Sequence, residues 1–368
     1  FDIYVFMIFG VITLAYTLIE NRRVDAIFPI IWIATALIGS LTRIRIIFFI
    51  GPAAAFIGAF LLYKIFVYLM SLDVKKLSVG RFKVSWIPVA IGLYLVFVFS
   101  TNIGAGYVFT SAVGPSFNNN WQESMQWVQD NTAEDTVLMS WWDYGYWFQS
   151  GGRRFTMADG GNNNESRNYE LANFFTGSNA TEWIPFLDEH SVDYIVVDYT
   201  LIGKYSAMSK IGSLGYKVDS FVGLGRPVRT LSKDGKTIYV YDAFGGVFYI
   251  PIGPSGTLDG EIKATFGPNT VYVKNICTPQ GLVQISEMEP VMDSCLMFTP
   301  FGIFMPYPSM DAGLSNFAKL YFYDGEGIPY VTKVFDNVEI KIFEVANTEN
   351  EVKNPYPNYL ANNPLGVY

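Results

Sequence analysis

Apolar and polar positions divide this chain into two textures. Up to about residue 102, apolar runs dominate: roughly 3–20, 26–41, 46–70 and 85–102. A helix that crosses a bilayer needs about 20 apolar residues. The pattern therefore predicts four transmembrane helices, the second one short and the third long enough to tilt. Residues 103–115, "IGAGYVFTSAVGP", read as a linker rich in glycine and small residues.

The later part alternates elements of different period. "NNNWQESMQWVQDNT" predicts a helix capped by Asn120, with Met125 and Val128 apolar at helical spacing. "TVLMSWW" is a β-rich run, followed by a turn at Asp143-Tyr144-Gly145. "YELANFFTG" reads as a helix and "VDYIVVDYT" as a fully buried strand. "LIGKYSAMSKIGSLG" reads as a helix stopped by Gly215. This alternation predicts an α/β core in which strand ends carry function. After about 220 the chain alternates like strands joined by tight turns, with a hairpin signal at Lys233-Asp234-Gly235-Lys236. "GPNTVYVKNI", "LYFYDG" and "NVEIKIFEVAN" read as further strands. The expected division is 1–105 transmembrane helices, 106–220 extracytoplasmic α/β core, 221–346 β-rich peripheral domain and 347–368 extended tail.

Composition supports a membrane protein. Of 368 residues, 51% are hydrophobic and only 16% are charged, where a soluble domain has about a quarter charged. The chain opens on Phe1 with no basic region before the first apolar run, so its start reads as internal to a longer membrane protein. Arg22 and Arg23 lie in one loop; Lys75, Lys76, Arg81 and Lys83 lie in another. The positive-inside rule assigns both loops to the cytoplasm and everything after about residue 103 to the outside. Cys277 and Cys295 fall in that outer part, where a disulfide is permitted; a bridge and two buried thiols both remain open. Arg43 and Arg45 sit at the outer membrane edge, either as snorkelling anchors or as an anion site at headgroup level.

Several functions are excluded or unsupported. No Walker loop, dinucleotide fingerprint or cysteine–histidine metal pattern is present, and the single histidine, His190, reads as a surface residue. A net charge of −8 without a basic stripe argues against nucleic acid. Two acceptor sequons occur, Asn164-Glu-Ser166 and Asn179-Ala-Thr181, making Asn164 and Asn179 candidate glycosylation sites.

One motif remains, "WWDYG" at Trp141, Trp142, Asp143, Tyr144 and Gly145. An aspartate among large rings needs a partner. The pentapeptide resembles the signature of the oligosaccharyltransferase catalytic subunit, a family with archaeal AglB-type, bacterial single-subunit and eukaryotic members. Downstream, "DYTLIGKYSAM" offers Asp198, Lys204 and Met208 for the family's second motif; the lysine-to-methionine spacing matches the short form, whereas Asp198 lies three residues further out. Arg45, seven residues before Pro52, resembles the family's outer-edge arginine that contacts a lipid phosphate. Asp159, sixteen residues after Asp143 in "RRFTMADGGNNN", resembles an asparagine-rich segment of eukaryotic relatives.

The resemblance implies transfer of an oligosaccharide from a dolichol-phosphate-type carrier to the asparagine of Asn-x-Ser/Thr. Trp141, Trp142, Asp143, Tyr144, Gly145, Asp198, Lys204 and Met208 would bind the acceptor sequon, and Arg45 the lipid phosphate. Its partners would be the lipid-linked oligosaccharide, an acceptor polypeptide and the membrane, with the C-terminal domain outside the cytoplasm. An ionised carboxylate only accepts and an indole N–H only donates, so Asp143 and the two tryptophans together suit one hydroxyl. Met208 would lie against the threonine methyl. The family also needs a divalent cation, Mn or Mg, held by acidic residues of its N-terminal membrane half. Here the acids of the first 105 residues are Asp2, Glu20, Asp25 and Asp73, of which the topology leaves only Asp2 outside. Catalytic and metal-binding residues are therefore expected outside this chain, and the chain is expected to be inactive alone. Two other readings are a membrane-anchored surface-layer or binding protein, and another lipid-sugar-dependent enzyme such as a protein O-mannosyltransferase.

Overall fold

The computed structural model describes residues 9–13, 15–16, 27–42, 48–71, 77–79, 82–84, 86–161, 165–337 and 339–346. The chain forms two compact units, 1–114 and 115–368.

In the first unit, α1 spans Ile27–Thr42 and α2 spans Ile50–Ser71. A short hairpin follows, β1 Leu77–Val79 and β2 Phe82–Val84, and then α3, Trp86–Val113. Ile33 and Ala36 of α1 share a core with Ile50, Ala53, Ala54 and Ile57 of α2. Small residues allow this approach. A β-carbon at Gly10 would lie 2.8 Å from the Ile57 carbonyl oxygen. Two described helices, within α2 and α3, are long and apolar enough to cross a membrane. At 16 residues α1 is shorter than that, and the first apolar run lies largely outside the described residues.

The expected linker at 103–115 is instead the end of α3, which continues to Val113 and stops at Gly114, φ +67°. Gly104 and Gly106 each cost about 1 kcal/mol relative to alanine in a helix. That is too little to interrupt a helix of 28 residues.

The second unit begins with α4, Asn119–Asn131. Its cap is Asn118 rather than the expected Asn120: the Asn118 side chain accepts from the Trp121 N–H at 3.0 Å. Trp121, Met125 and Val128 form the buried face. Then come β3 Val137–Met139, β4 Phe155–Thr156, α5 Glu165–Thr176, α6 Ile184–Glu189, β5 Tyr194–Asp198 and α7 Leu201–Gly212. Gly215, φ +94°, ends α7 as expected; its N–H bonds back to the Lys210 carbonyl at 2.7 Å.

The β-rich part holds β6 Ser220–Gly223, β7 Arg229–Lys233, β8 Lys236–Ala243, β9 Gly246–Ile252, β10 Lys263–Phe266, β11 Asn269–Thr278, β12 Gly281–Gln284, β13 Val291–Thr299 and β14 Gly302–Tyr307. They form one nine-stranded sheet in the order β6-β14-β13-β11-β10-β9-β8-β7, with β12 on β11. The predicted hairpin joins β7 to β8, with both Asp234 and Gly235 at positive φ. Cys277 of β11 and Cys295 of β13 are joined in a disulfide across this parallel pair.

Two expectations fail beyond this sheet. "LYFYDG" lies not in a strand but at the end of α8, Asn316–Tyr323, whose Ser315 cap accepts from the Ala318 N–H at 3.2 Å. Its apolar residues are buried all round, and a short fully buried run has no period that separates helix from strand. Next, β15 Val331–Asp336 and β16 Ile340–Val345 leave the β-rich part and extend the α/β sheet, in the order β15-β16-β5-β3-β4. The β-rich strands are thus inserted into the α/β unit, not appended after it at residue 221.

Candidate functional site

The strands β3 and β5 are parallel neighbours, with Leu138 opposite Tyr194 and Met139 opposite Ile195. Chain segments leaving their C-terminal ends therefore emerge on the same edge, where open α/β sheets place ligands. From β3 comes Trp141 to Gly145; from β5 come Asp198, Thr200 and α7. The sheet brings together two motifs remote in sequence.

The WWDYG residues take different positions. Trp142–Tyr144 form a 3₁₀ turn, continued by the helical turn Gly145–Trp147 and a π-helical turn at Phe148–Gly152. Trp141 keeps 2% of its surface exposed, and Tyr144 is buried. Trp142 and Asp143 are half-buried. The Tyr144 ring stacks on Trp121 at 4.9 Å and meets Trp147 at 5.4 Å, so α4 supplies the floor beneath the motif. Gly145 has an ordinary helical φ of −54° and is needed for space. A β-carbon there would lie 2.5 Å from the Asp159 α-carbon, with the Ala158 carbonyl oxygen closer still. Asp159 is itself anchored: it accepts from Gln149 at 3.0 Å and from the Gly161 N–H at 2.8 Å.

Charge converges on Lys204. Its Nζ lies 2.8 Å from Asp143 Oδ2, with the two side chains 34% and 26% exposed. The same ammonium donates to the Tyr144 hydroxyl oxygen at 2.9 Å and lies 4.4 Å from the centre of the Tyr144 ring. The Tyr144 hydroxyl is 2.5 Å from Thr200 Oγ1, which donates to Asp198 Oδ2 at 2.9 Å. Asp198 Oδ2 also accepts the Thr200 N–H at 3.2 Å. Burial pushes the Tyr144 hydroxyl pKa far above its usual range, and nearby Asp198 pushes it further. Burial likewise raises the Asp198 carboxyl, against the lowering effect of the nearby Tyr144 and Thr200 hydroxyls.

Five expected acceptor contacts are buried: Trp141, Tyr144 and Gly145 in the first motif, and Asp198 and Met208 in the second. Asp198 is 0% exposed: it ends a strand buried on both faces and reaches Lys204 only through two hydroxyls. Met208, one turn beyond Lys204 on α7, is also 0% exposed and belongs to the main core. Of the other candidates, Arg45 and Asn164 lie outside the described residues. Asn179 is exposed; it donates to Glu182 at 2.6 Å and accepts the Thr181 hydroxyl at 2.9 Å. His190 is half-buried, its Nδ1 bonded to the Phe186 carbonyl at 2.9 Å, and takes no part in the site. Thr200 and Gln149 were not singled out from the sequence. The only available signal for Thr200 was its place at the strand–helix junction in "DYT".

Residues 133–208 match the family model described as the STT3/PglB/AglB core domain. The chain carries this core domain. Around it, the chain is similar to part of the archaeal AglB-type oligosaccharyltransferase. A dolichyl-phosphooligosaccharide-protein glycotransferase of Methanocaldococcus jannaschii is 32% identical over 118 residues, 32% of this chain and 12% of that protein. A second glycotransferase of that kind, from Pyrococcus horikoshii, is 26% identical over 274 residues, 72% of this chain and 34% of that protein. The chain thus spans only a minor part of these relatives. The fold agrees with archaeal oligosaccharyltransferase AglB of Archaeoglobus fulgidus, solved with an inhibitory peptide and a dolichol-phosphate: TM-score 0.54 at 18% identity, over 90% of this chain and 36% of that one. The same fold appears in the Archaeoglobus fulgidus enzyme tethered to an acceptor peptide containing the NVT sequon, with TM-score 0.52 at 17% identity, over 93% of this chain and 46% of that one. The core domain holds both motifs, from Trp141 to Met208.

Proposed function

We propose that this chain is the acceptor-recognising part of a membrane oligosaccharyltransferase. The enzyme transfers a glycan from a dolichol-phosphate-type carrier to the asparagine of Asn-x-Ser/Thr. The observation that carries the reading is the 2.8 Å contact between Asp143 of the first motif and Lys204 of the second. It joins, at one sheet edge, the two sequence features that the resemblance assigns to sequon binding.

The chemistry follows from donors and acceptors. The acceptor hydroxyl donates its proton to Asp143, which has room at its other oxygen while Lys204 holds Oδ2. The Trp142 indole N–H, and Trp141 through the little surface it keeps, donate to the same hydroxyl oxygen. An acceptor without the hydroxyl gives Asp143 no proton to accept, and this is where discrimination arises. Met208 touches a threonine methyl only if the core opens, so it acts on packing of α7 in the acceptor-free chain.

The helices of the first unit belong to this proposal as transmembrane anchors, with the second unit outside the cytoplasm and Arg45 at the carrier phosphate. Nearly every large side chain described on α3 is exposed, including Leu93, Phe97, Phe99 and Phe109, as befits a helix facing lipid. A divalent cation, Mn or Mg, is implied by the family; one Archaeoglobus fulgidus relative was solved with Zn and sulfate. Among the described residues no cluster of three or more His, Cys, Asp or Glu could hold such an ion. Asn179 is proposed as a self-glycosylation site, and peptide mass analysis of native protein finding it bare refutes that.

The deciding experiment supplies the membrane enzyme that carries this chain with lipid-linked donor and two peptides, Asn-x-Thr and Asn-x-Ala. Preferential transfer to Asn-x-Thr, lost in Asp143→Ala, is expected. Equal transfer to both peptides by the unaltered enzyme overturns the reading.

A further inference from the structure

The acceptor-recognition reading gives Thr200 no task, yet Thr200 links the two motifs inside the protein. The chemistry at each end sets the direction of the hydrogen bonds. The Lys204 ammonium can only donate, so the Tyr144 oxygen accepts from it at 2.9 Å. The Asp198 carboxylate accepts, so Thr200 Oγ1 donates to Oδ2 at 2.9 Å. With the Thr200 proton committed to Asp198, the Tyr144 hydroxyl donates to Thr200 across 2.5 Å. All three bonds run one way, from the ammonium to a carboxylate with no exposed surface.

We propose that Thr200 is a positioning residue for acceptor binding: its hydroxyl, tied to Asp198, holds the Tyr144 hydroxyl, and Tyr144 holds Lys204 against Asp143 Oδ2. The inference rests on the acceptor-recognition reading. Its physical basis is rigidity. Lys204 ends a flexible four-carbon stem, and an ammonium on such a stem is a mobile point charge unless several acceptors fix it. Here three features fix it at once: the Asp143 carboxylate, the Tyr144 oxygen and the Tyr144 ring face. A carboxylate pinned at one oxygen presents its other oxygen in one direction. A site that selects a single hydroxyl depends on a first layer of groups held by a second. Asp198 therefore serves recognition without touching the acceptor, which reconciles its place beside the second motif with its burial.

The test compares Thr200→Val, which keeps the shape and removes the hydroxyl, with Thr200→Ser, which keeps the hydroxyl. Steady-state transfer to an Asn-x-Thr peptide is measured with the membrane enzyme. Thr200→Val is expected to raise the peptide KM about tenfold with kcat within about twofold, the size of losing one hydrogen bond in a charged chain and the sign of lost binding alone. Thr200→Ser is expected to restore the unaltered KM. Tyr144→Phe removes the middle hydroxyl and should raise KM similarly, and the double variant should be no worse than either single one, since both cut the same chain. An unchanged KM in Thr200→Val, no rescue by Thr200→Ser, or fully additive effects overturn the inference. If Thr200→Val fails to fold, the Thr200→Ser and Tyr144→Phe values decide on the same criteria. An unaltered enzyme without preference for Asn-x-Thr over Asn-x-Ala defeats the underlying reading instead.

Discussion

Gly145 and Asp159 pass so closely that a β-carbon on Gly145 would lie 2.5 Å from the Asp159 α-carbon. The glycine that closes the WWDYG motif is therefore a space requirement set by a segment fourteen residues further along the chain. Gly145→Ala should cost about 2–3 kcal/mol as backbone is forced apart. A denaturant titration checks this, and a loss below about 0.5 kcal/mol would contradict the packing.

Asp143→Ala should separate stability from activity. Its ion pair with Lys204 is partly solvated, so the stability change should be about 1 kcal/mol or less. Transfer to Asn-x-Thr should fall by at least about a hundredfold, the scale seen when a buried polar site loses its match. A thermal melt and a transfer assay on one preparation distinguish the two effects.

Asp198→Asn should flatten the acid side of the stability profile. Burial first, opposed by the nearby Tyr144 and Thr200 hydroxyls, raises the folded-state pKa of Asp198 above its unfolded value. The folded chain then holds this proton more tightly than the unfolded chain. Stability from this group is fully present below about pH 4 and is lost as pH rises through the folded pKa. In melts from pH 4 upward, the wild type should lose stability relative to Asp198→Asn. Parallel profiles would remove the argument.

The disulfide should contribute measurably. Cys277 and Cys295 are 18 residues apart and bridge β11 to β13. Closing a loop of that length stabilises by about 3 kcal/mol. Cys277→Ser with Cys295→Ser should lower the guanidinium midpoint, and reductant should do the same to the wild type. A midpoint unmoved by both treatments would show that the bridge adds nothing.

The α/β core was legible where a single face decides an element. The buried strand Tyr194–Asp198 and the helix with Lys204 follow from local pattern, and the hairpin at Asp234-Gly235 from turn chemistry. What was not legible has one common cause. The burial of Asp198 and Met208, the crowding at Gly145 and the place of Ile340–Val345 all depend on neighbours remote in sequence. The helix around "LYFYDG" escaped because a run buried on every side has no period to read. Charge pairing was half visible: Asp143 called for a partner, but only the parallel register of β3 and β5 names Lys204.

The strand order has a consequence in time. β16, made after every other described strand, lies directly on β5, with Ile340 opposite Asp198. Synthesis runs from the N-terminus, so β5 emerges before the whole nine-stranded sheet and waits for its neighbour until that sheet has been made. Such long-range pairings form late and slowly. The recognition edge therefore matures only after β16 has been made. A nascent chain stalled anywhere in the β-rich part carries both motifs in sequence but has no finished edge on which to assemble them.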